Sequence, residues 1–325
     1  MSWLVTGGAG YIGSHVVRCL DEAGLKPVIV DSMSSGIRSF APAHVPFYEA
    51  SVLERGELVR IMDAHSITGV IHLAGYKYAG ESVKFPLLTF EQNVTGTARL
   101  LEAMQEAGVG KMVFSSSAAV YGTPSVALVT EQTATEPESP YGQSKLIGEW
   151  LIRDQGIATG LKHTSLRYFN VVGSGSAELY DASPHNLFPL VFAALNSGAT
   201  PKIFGTDYDT ADGTCVRDYV HVADLALAHV EAAKKLEAGE ELEPVYNLGS
   251  GDGVSVREIM DAVARVTGNQ FQPSLAPRRP GDPARIVADG QLAARDLGWA
   301  MRHSLEQMVD SAYRASHALV PAEEA

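Results

Sequence analysis

A short apolar run that passes straight into a glycine turn and then a helix constrains this chain more than any other feature. Trp3–Thr6 is strand-like, and Gly7-Gly8-Ala9-Gly10-Tyr11-Ile12-Gly13 follows it. Ile12, Val16, Leu20 and Ala23 then share one helical face, with Gly24 placed to stop the helix. Gly8, Gly10 and Gly13 satisfy G-x-G-x-x-G, and Gly7 adds a G-x-x-G-x-x-G spacing. Without Cβ atoms such a turn takes positive φ and lets a phosphate approach the backbone at a helix N-terminus. Any tight turn can gather glycines, so the pattern draws its force from lying between a strand and a helix.

The same alternation recurs. Pro27–Asp31, Gly69–Ala74 and Met112–Ser115 are close to continuously apolar, as strands are when helices cover both faces of a parallel sheet. Between them Val94, Ala98, Leu101 and Met104 repeat the helical spacing, ending at Gly108. The pattern predicts an α/β fold with a doubly wound parallel sheet over residues 1–170. Past residue 170 the rhythm breaks into Gly, Ser, Pro, Asp and Asn as far as Asp212, with one helical stretch near Pro189–Asn196. Ser255-Val-Arg-Glu258 spells a capping box for a further helix, and another spans roughly Ser304–Ala315. Residues 171–325 are therefore expected to form a smaller α/β lobe whose loops close a cleft against the carboxyl edge of the sheet. A helix within 223–236 should pack back on the first domain, and the Ala322-Glu-Glu-Ala325 tail should fray.

Charge and cysteines narrow the partners. With 25 basic and 38 acidic residues the net charge is -13, a surface that repels nucleic acid and anionic membranes. An anionic ligand must therefore meet a local basic patch. No apolar run is long enough to span a bilayer and no secretory leader is evident, so a cytoplasmic protein is expected. Cys19 and Cys215 are the only cysteines and the ten histidines lack ligand spacing, so neither a disulfide framework nor a metal site is expected. Cys215 reads as a packed thiol, and His221 and His229 as structural.

Two constellations carry chemistry. Asp31 ends the second strand about 20 residues after the glycine turn, where a carboxylate can take the hydroxyls of an adenosine ribose. It would repel a 2′-phosphate, and no arginine follows before Arg38, which favours NAD over NADP. Ser139-Pro-Tyr141-Gly-Gln-Ser-Lys145 opens the helix after the Met112–Ser115 strand, with Tyr141 and Lys145 on one helical face. A phenol near pKa ~10 is a poor base at neutral pH. A neighbouring ammonium and a positive nicotinamide ring are expected to bring it into range, and a serine of Phe114-Ser-Ser-Ser117 can share its proton.

These elements together resemble the extended branch of the short-chain dehydrogenase/reductase superfamily, which acts on nucleotide sugars. His72-Leu-Ala-Gly-Tyr-Lys77, Asn93-Val-Thr-Gly-Thr97, Phe114–Gly122 and Leu166-Arg-Tyr-Phe-Asn170 look like the UDP-glucose 4-epimerase family. So do the long stretch Phe204–Tyr219, ending in Val-Arg-Asp-Tyr, and Arg278-Arg-Pro-Gly-Asp282. The resemblance implies that Tyr141 is the base, Ser117 its hydrogen-bonding partner and Lys145 the cation that holds the nicotinamide ribose. Around NAD it implies Gly7, Gly10, Tyr11, Ile12 and Gly13 at the turn, and Asp31, Ser32 and Ser35 after the second strand. It adds Ser51 and Val52, Leu73, Ala74, Gly75 and Lys77, then Gln92, Phe169, Tyr141 and Lys145, with Tyr141 and Ser117 also touching the substrate. Ser51-Val52 and Gln92 depart from the commoner Asp-Ile and Asn, which weakens individual contacts.

For the UDP-sugar the resemblance implies Asn170, Asn186, Leu187, Lys202, Ile203 and Phe204, followed by Arg217, Tyr219, Arg279 and Asp282. Arg217 and Arg279 would supply the basic patch for the diphosphate, Phe204 a face for uracil and Asp282 an acceptor for a ribose hydroxyl. Ile286 falls where the family gates the sugar pocket by size, and Tyr76 can narrow it too. The implied reaction inverts C4 through a 4-keto sugar while NAD is retained. Acceptance of N-acetylated or uronic UDP-sugars stays open. A 4,6-dehydratase would need carboxylates where Ser117-Ala-Ala stands, a plain reductase would consume its cofactor, and a non-catalytic sensor has no use for a tuned phenol. The helices near Phe90–Gly108 and Gln143–Gln155 resemble those of a family homodimer interface.

Overall fold

The computed structural model describes residues 1–279 and 282–318. Pro280 and Gly281 of the Arg278–Asp282 segment, and the tail expected to fray, lie outside the described residues. The strands in chain order are β1 (Ser2–Thr6), β2 (Lys26–Asp31), β3 (Phe47–Glu49), β4 (Ile67–His72), β5 (Lys111–Ser115) and β6 (Lys162–Tyr168). Beyond them come β7 (Asn170–Val172), β8 (Lys202–Phe204), β9 (Val216–Arg217), β10 (Tyr219–His221) and β11 (Val245–Leu248). The last are β12 (Val254–Ser255), β13 (Ser274–Ala276) and β14 (Arg285–Ile286). The helices are α1 (Tyr11–Glu22), α2 (Arg55–His65), α3 (Ala79–Ser82), α4 (Pro86–Phe90), α5 (Gly96–Glu106) and α6 (Pro140–Thr159). After these follow α7 (Leu187–Asn196), α8 (Val222–Glu237), α9 (Val256–Thr267), α10 (Gln291–Leu297) and α11 (Leu305–His317).

Seven strands form the central sheet in the order β11-β6-β5-β4-β1-β2-β3, and every neighbouring pair runs parallel. The apolar runs are explained by two cores. Trp3, Val5, Ile29, Ile71 and Val113 point to the face covered by α1, α8 and α10. Leu4, Val28, Val30, Val70, Met112 and Phe114 point to the face covered by α2, α5 and α6. Alternate residues thus enter opposite cores, so none of them is free to be polar. The chain moves outward from β1 to β3 and then returns to β4 on the other side of β1. That reversal leaves a crevice at the carboxyl ends of β1 and β4.

The other lobe is built on α7, α9 and α11 with small sheets, β7 with β10, β8 with β13, and β9 between β12 and β14. The Ser255–Glu258 capping box is present, and Ser304 and Gln307 form a second one at α11. The predicted return helix is α8, whose Leu225, Ala226 and Val230 lie in the same core as Val16 and Leu20 of α1. Two features were not anticipated. Helix α10 carries too few residues to show a period, and Glu91–Thr95 is a π-helical turn ahead of α5. The extra residue in that turn shifts the inward face, so Asn93 is buried there in place of Val94. Among the described residues no helix is long and apolar enough to cross a membrane.

Candidate active site

A cavity of about 900 Å³ opens where the central strands end and the second lobe begins. Its first arm is the glycine turn. Gly7 has φ +75°, and a Cβ there would lie 2.8 Å from the Ala74 nitrogen. A Cβ on Gly13 would fall on the Gly7 carbonyl oxygen. The N-terminus of α1 has no side-chain cap and no acid in its first turn, so its backbone donors are left for a ligand. Asp31 lines the same arm, taking the Ala9 N–H at 3.0 Å and the Met33 N–H at 2.9 Å. Burial raises its pKa, and those two backbone bonds oppose the shift.

Below the turn a buried histidine fixes two loops at once. Thr97 Oγ donates to the Asn93 carbonyl at 2.6 Å, so it accepts from Nε2 of His72 at 3.1 Å. Nδ1 of His72 then accepts from Thr6 Oγ at 2.7 Å, and the same oxygen takes the Ala74 N–H at 3.3 Å. Burial lowers His72 to about 3, which keeps the ring neutral. Asn93 clamps Tyr76 through both backbone groups, at 2.6 and 3.0 Å, and donates to Ser144 Oγ at 2.8 Å. Ser144 in turn bonds the Tyr141 carbonyl at 2.7 Å. The loop after β4 is thereby tied to the start of α6.

Ser117, Tyr141 and Lys145 meet at the centre. Ser139 caps α6 by accepting the Gly142 N–H at 3.2 Å, and Pro140 occupies its first turn, which sets where Tyr141 projects. Lys145 reaches the end of β5 and donates to the Ser115 carbonyl at 2.8 Å. Burial lowers this ammonium to about 8, and the Glu149 carboxylate opposes the shift. Tyr141 is raised by burial, and the Ser117 hydroxyl is what pulls it back. The ammonium lies 5.9 Å from the phenol ring centroid and is engaged with the Ser115 carbonyl.

The third arm belongs to the other lobe. The Arg217 guanidinium is preset by the Val216 and Pro283 carbonyls at 2.9 and 2.7 Å, with Asp282 at 3.4 Å. Arg279 lies 4.0 Å over the Phe204 ring. Its neighbour Arg278 turns away to Asp207, at 2.7 Å, and to the Tyr208 ring. Asn186 precedes α7 and donates to Asp181 at 2.7 Å, and Asn170 hydrogen-bonds Tyr219. The Tyr11 hydroxyl donates to the Gly173 carbonyl at 2.6 Å, joining the glycine turn to this lobe.

Every cofactor-side residue expected from sequence faces the cavity, including Ser32, Ser35, Ser51, Val52, Lys77 and Gln92. On the substrate side Leu187, Lys202, Phe204 and Tyr219 do so as well. Two residues are corrected. Ile203 is fully buried, because strand alternation turns Lys202 and Phe204 to the cavity and Ile203 into the core of α7 and α9. Ile286 does not line the cavity; its strand pairs with β9 and its side chain packs against the core of Ala118, Tyr121 and Phe169.

Sequence reasoning passed over Tyr78, Tyr168, Asp181 and His185, which also line the cavity. Tyr168 was legible, since it stands inside Arg-Tyr-Phe-Asn. Tyr78 packs edge-on against Tyr76 and His185, with ring centres 5.6 and 5.0 Å away, so it bridges the two lobes. Asp181 and His185 come from a Ser/Pro-rich loop that carries no periodic signal. Cys215 is buried at the cavity edge, and burial pushes its thiol up. Among the described residues no group of three His, Cys, Asp or Glu side chains could hold a metal ion.

A doubly wound sheet, a glycine cradle at its switch point and a Ser–Tyr–Lys set beside it define a class: an NAD-dependent α/β enzyme. Residues 3–249 match the model of the NAD dependent epimerase/dehydratase family, and the chain belongs to that family. It is 45% identical over 314 residues to a UDP-glucose 4-epimerase of Azospirillum brasilense, covering 95% of this chain and 90% of that one. A crystal structure of a UDP-glucose 4-epimerase superposes with a TM-score of 0.94 at 39% identity over 100% of both chains. The UDP-glucose 4-epimerase of Bifidobacterium longum, in complex with NAD+ and UDP, gives a TM-score of 0.90 at 36% identity over 97% of this chain and 98% of that one.

Proposed function

We propose that this protein inverts C4 of a UDP-hexose, interconverting UDP-galactose and UDP-glucose with NAD retained through each turnover. The observation that carries the reading is one cavity joining the glycine cradle and Asp31, the Ser117/Tyr141/Lys145 set, and the Arg217/Arg279/Asp282 cluster. The cradle fits NAD: Gly7 and Gly13 leave no room for Cβ atoms, the helix N-terminus is uncapped, and Asp31 keeps lone pairs for a ribose. NAD held there by the glycine turn and Asp31 would supply a reversible hydride acceptor for C4 of the sugar.

The chain's own residues do the rest. Tyr141 takes the 4-hydroxyl proton and later returns it, with Ser117 bonding the reacting oxygen. Lys145 holds the nicotinamide ribose. NAD held by the glycine turn, Asp31 and Lys145 would add a positive charge that favours the Tyr141 phenolate. Arg217 and Arg279 hold the diphosphate and Asp282 the uridine ribose, which leaves the hexose free to turn. Ser117-Ala118-Ala119 offers no carboxylate for eliminating water, which argues against a dehydratase. In this reading residues 1–170 with α8 and β11 are the cofactor domain, and the rest of 171–325 holds the sugar nucleotide.

Two further assignments accompany it. Exposed apolar side chains at Phe85 and Leu87 on and before α4, and at Trp150 and Ile157 on α6, suit a homodimer contact through these helices. Free thiols at Cys19 and Cys215 suit the reducing cytoplasm. The test of function is a proton NMR time course with UDP-galactose and no added cofactor. UDP-glucose should accumulate to equilibrium without redox reagent, and Tyr141→Phe should abolish most turnover while still binding UDP. A 4-keto-6-deoxy product, or near-normal activity in that variant, would sink the reading.

A further inference from the structure

The end of β5 sends three consecutive hydroxyls in three directions. Ser115 Oγ bonds Nε2 of His229 on α8 at 2.7 Å. Nδ1 of that ring faces the Leu225 carbonyl at 2.9 Å, which can only accept, so Nδ1 carries the proton and Nε2 accepts from Ser115. Ser117 turns into the cavity toward Tyr141. Ser116, fully buried on the opposite side of the strand from Ser115, donates to the carboxylate of Glu149.

Glu149 stands one turn beyond Lys145 on α6 and is itself buried. Arg167 of β6 grips both its oxygens, Nε at 2.9 Å and Nη2 at 2.6 Å. The remaining guanidinium nitrogen meets the Tyr121 hydroxyl at 2.8 Å, and Tyr121 donates to Asn247 of β11 at 2.7 Å. The carboxylate therefore connects the catalytic helix, the serine-bearing strand end and two further strands of the sheet. A buried ion pair is a poor device for stability alone, since apolar side chains of similar volume serve as well. Its position directly behind the reacting groups calls for another role.

We infer that Glu149 is a positioning residue for the reaction: anchored by Arg167 and bonded to Ser116, it locks the β5 end onto α6 so that Ser117, Tyr141 and Lys145 hold one mutual geometry. The inference rests on the reading of those three as the reacting set. Small displacements there matter, because an error of about 1 Å costs about a hundredfold in rate. Glu149 also supplies the negative charge that opposes desolvation of the Lys145 ammonium. The other groups facing that ammonium are Tyr141 on α6, neutral His72 on β4 and the Phe114 ring on β5. None of these offers a second carboxylate.

Ser116→Ala is the cleanest test, since it cuts the link and leaves the Glu149–Arg167 pair whole. Initial rates with UDP-galactose, NAD content, UDP affinity and thermal melting would be measured for this variant, for Glu149→Gln and for Tyr141→Phe. Ser116→Ala should lower kcat about tenfold with KM and NAD content unchanged. Glu149→Gln should lower kcat about a hundredfold and move the alkaline limb of its pH profile to lower pH, because Lys145 loses its opposing charge. Folded variants with wild-type kcat and an unmoved limb, altered only in melting temperature, overturn the inference. If Glu149→Gln does not fold, Ser116→Ala decides alone. An active Tyr141→Phe refutes the underlying reading, whereas an inactive one beside unaffected Ser116→Ala refutes only the role of Glu149.

Discussion

Glu237→Ala should weaken the fold without touching the chemistry. Glu237 closes α8 at the amino-terminal edge of the sheet, opposite the cavity, with its side chain only 7% exposed. It accepts from Trp3 Nε1 at 3.0 Å, Thr68 Oγ at 2.5 Å and Lys111 Nζ at 2.5 Å. Trp3 is fully buried, so its indole N–H would be left without an acceptor, at a cost of about 1–3 kcal/mol. Thr68 can fall back on the Ser2 carbonyl at 3.2 Å and costs little. The Lys111 side chain is 28% exposed and turns to water, so losing that pair adds about 0–1 kcal/mol. A total near 2–3 kcal/mol follows, or roughly a 5 °C fall in melting temperature for a chain of this size.

The pH dependence gives this prediction its sharpest check. Burial works to raise the Glu237 carboxyl, but the bonds from Lys111, Thr68 and Trp3 outweigh it and hold the group below the ordinary value. A lowered folded pKa stabilises fully above the unfolded value of about 4.3, and that stabilisation is lost as pH falls through the folded value. The gap between wild type and variant should therefore be widest near neutrality and narrow below about pH 4.3. Urea or thermal unfolding across pH, at fixed saturating NAD, measures it. A gap that stays constant with pH, or a fall in kcat at temperatures where both proteins are folded, would refute the reasoning.

Three other outcomes are expected. Arg217→Ala removes a preset guanidinium from the diphosphate position; titration of UDP should show affinity lower by about 2–3 kcal/mol, while NAD content is retained. Gly13→Ala forces a Cβ onto the Gly7 carbonyl, so the purified protein should carry little NAD by absorbance while still binding UDP. Light scattering should return the mass of two chains, and Leu87→Glu with Ile157→Glu should return the mass of one; a single-chain mass for the wild type would exclude the homodimer.

The sequence alone determined those features whose cause is local. A turn that needs positive φ at Gly7 and no Cβ at Gly13 can be read from glycine positions, because backbone sterics act within a few residues. The Tyr141–Lys145 spacing puts two side chains on one helical face whatever surrounds the helix. Apolar runs with helical stretches between them were sufficient for a doubly wound sheet, since both faces of each strand must be buried. What only the tertiary structure decided depends on atoms distant along the chain. Burial sets the Tyr141 phenol high and leaves Lys145 bonded to the Ser115 carbonyl, a desolvation effect with no sequence signature. One residue of strand phase sends Ile203 into the core between Lys202 and Phe204, and the pairing of β14 with β9 packs Ile286 against the cluster that holds Ala118, Tyr121 and Phe169. The π turn that delivers Asn93 to Tyr76, and the Glu149–Arg167 pair that reaches Ser116, exist only once separate segments have packed together. Their energies come from excluding water around groups that meet only in the folded chain.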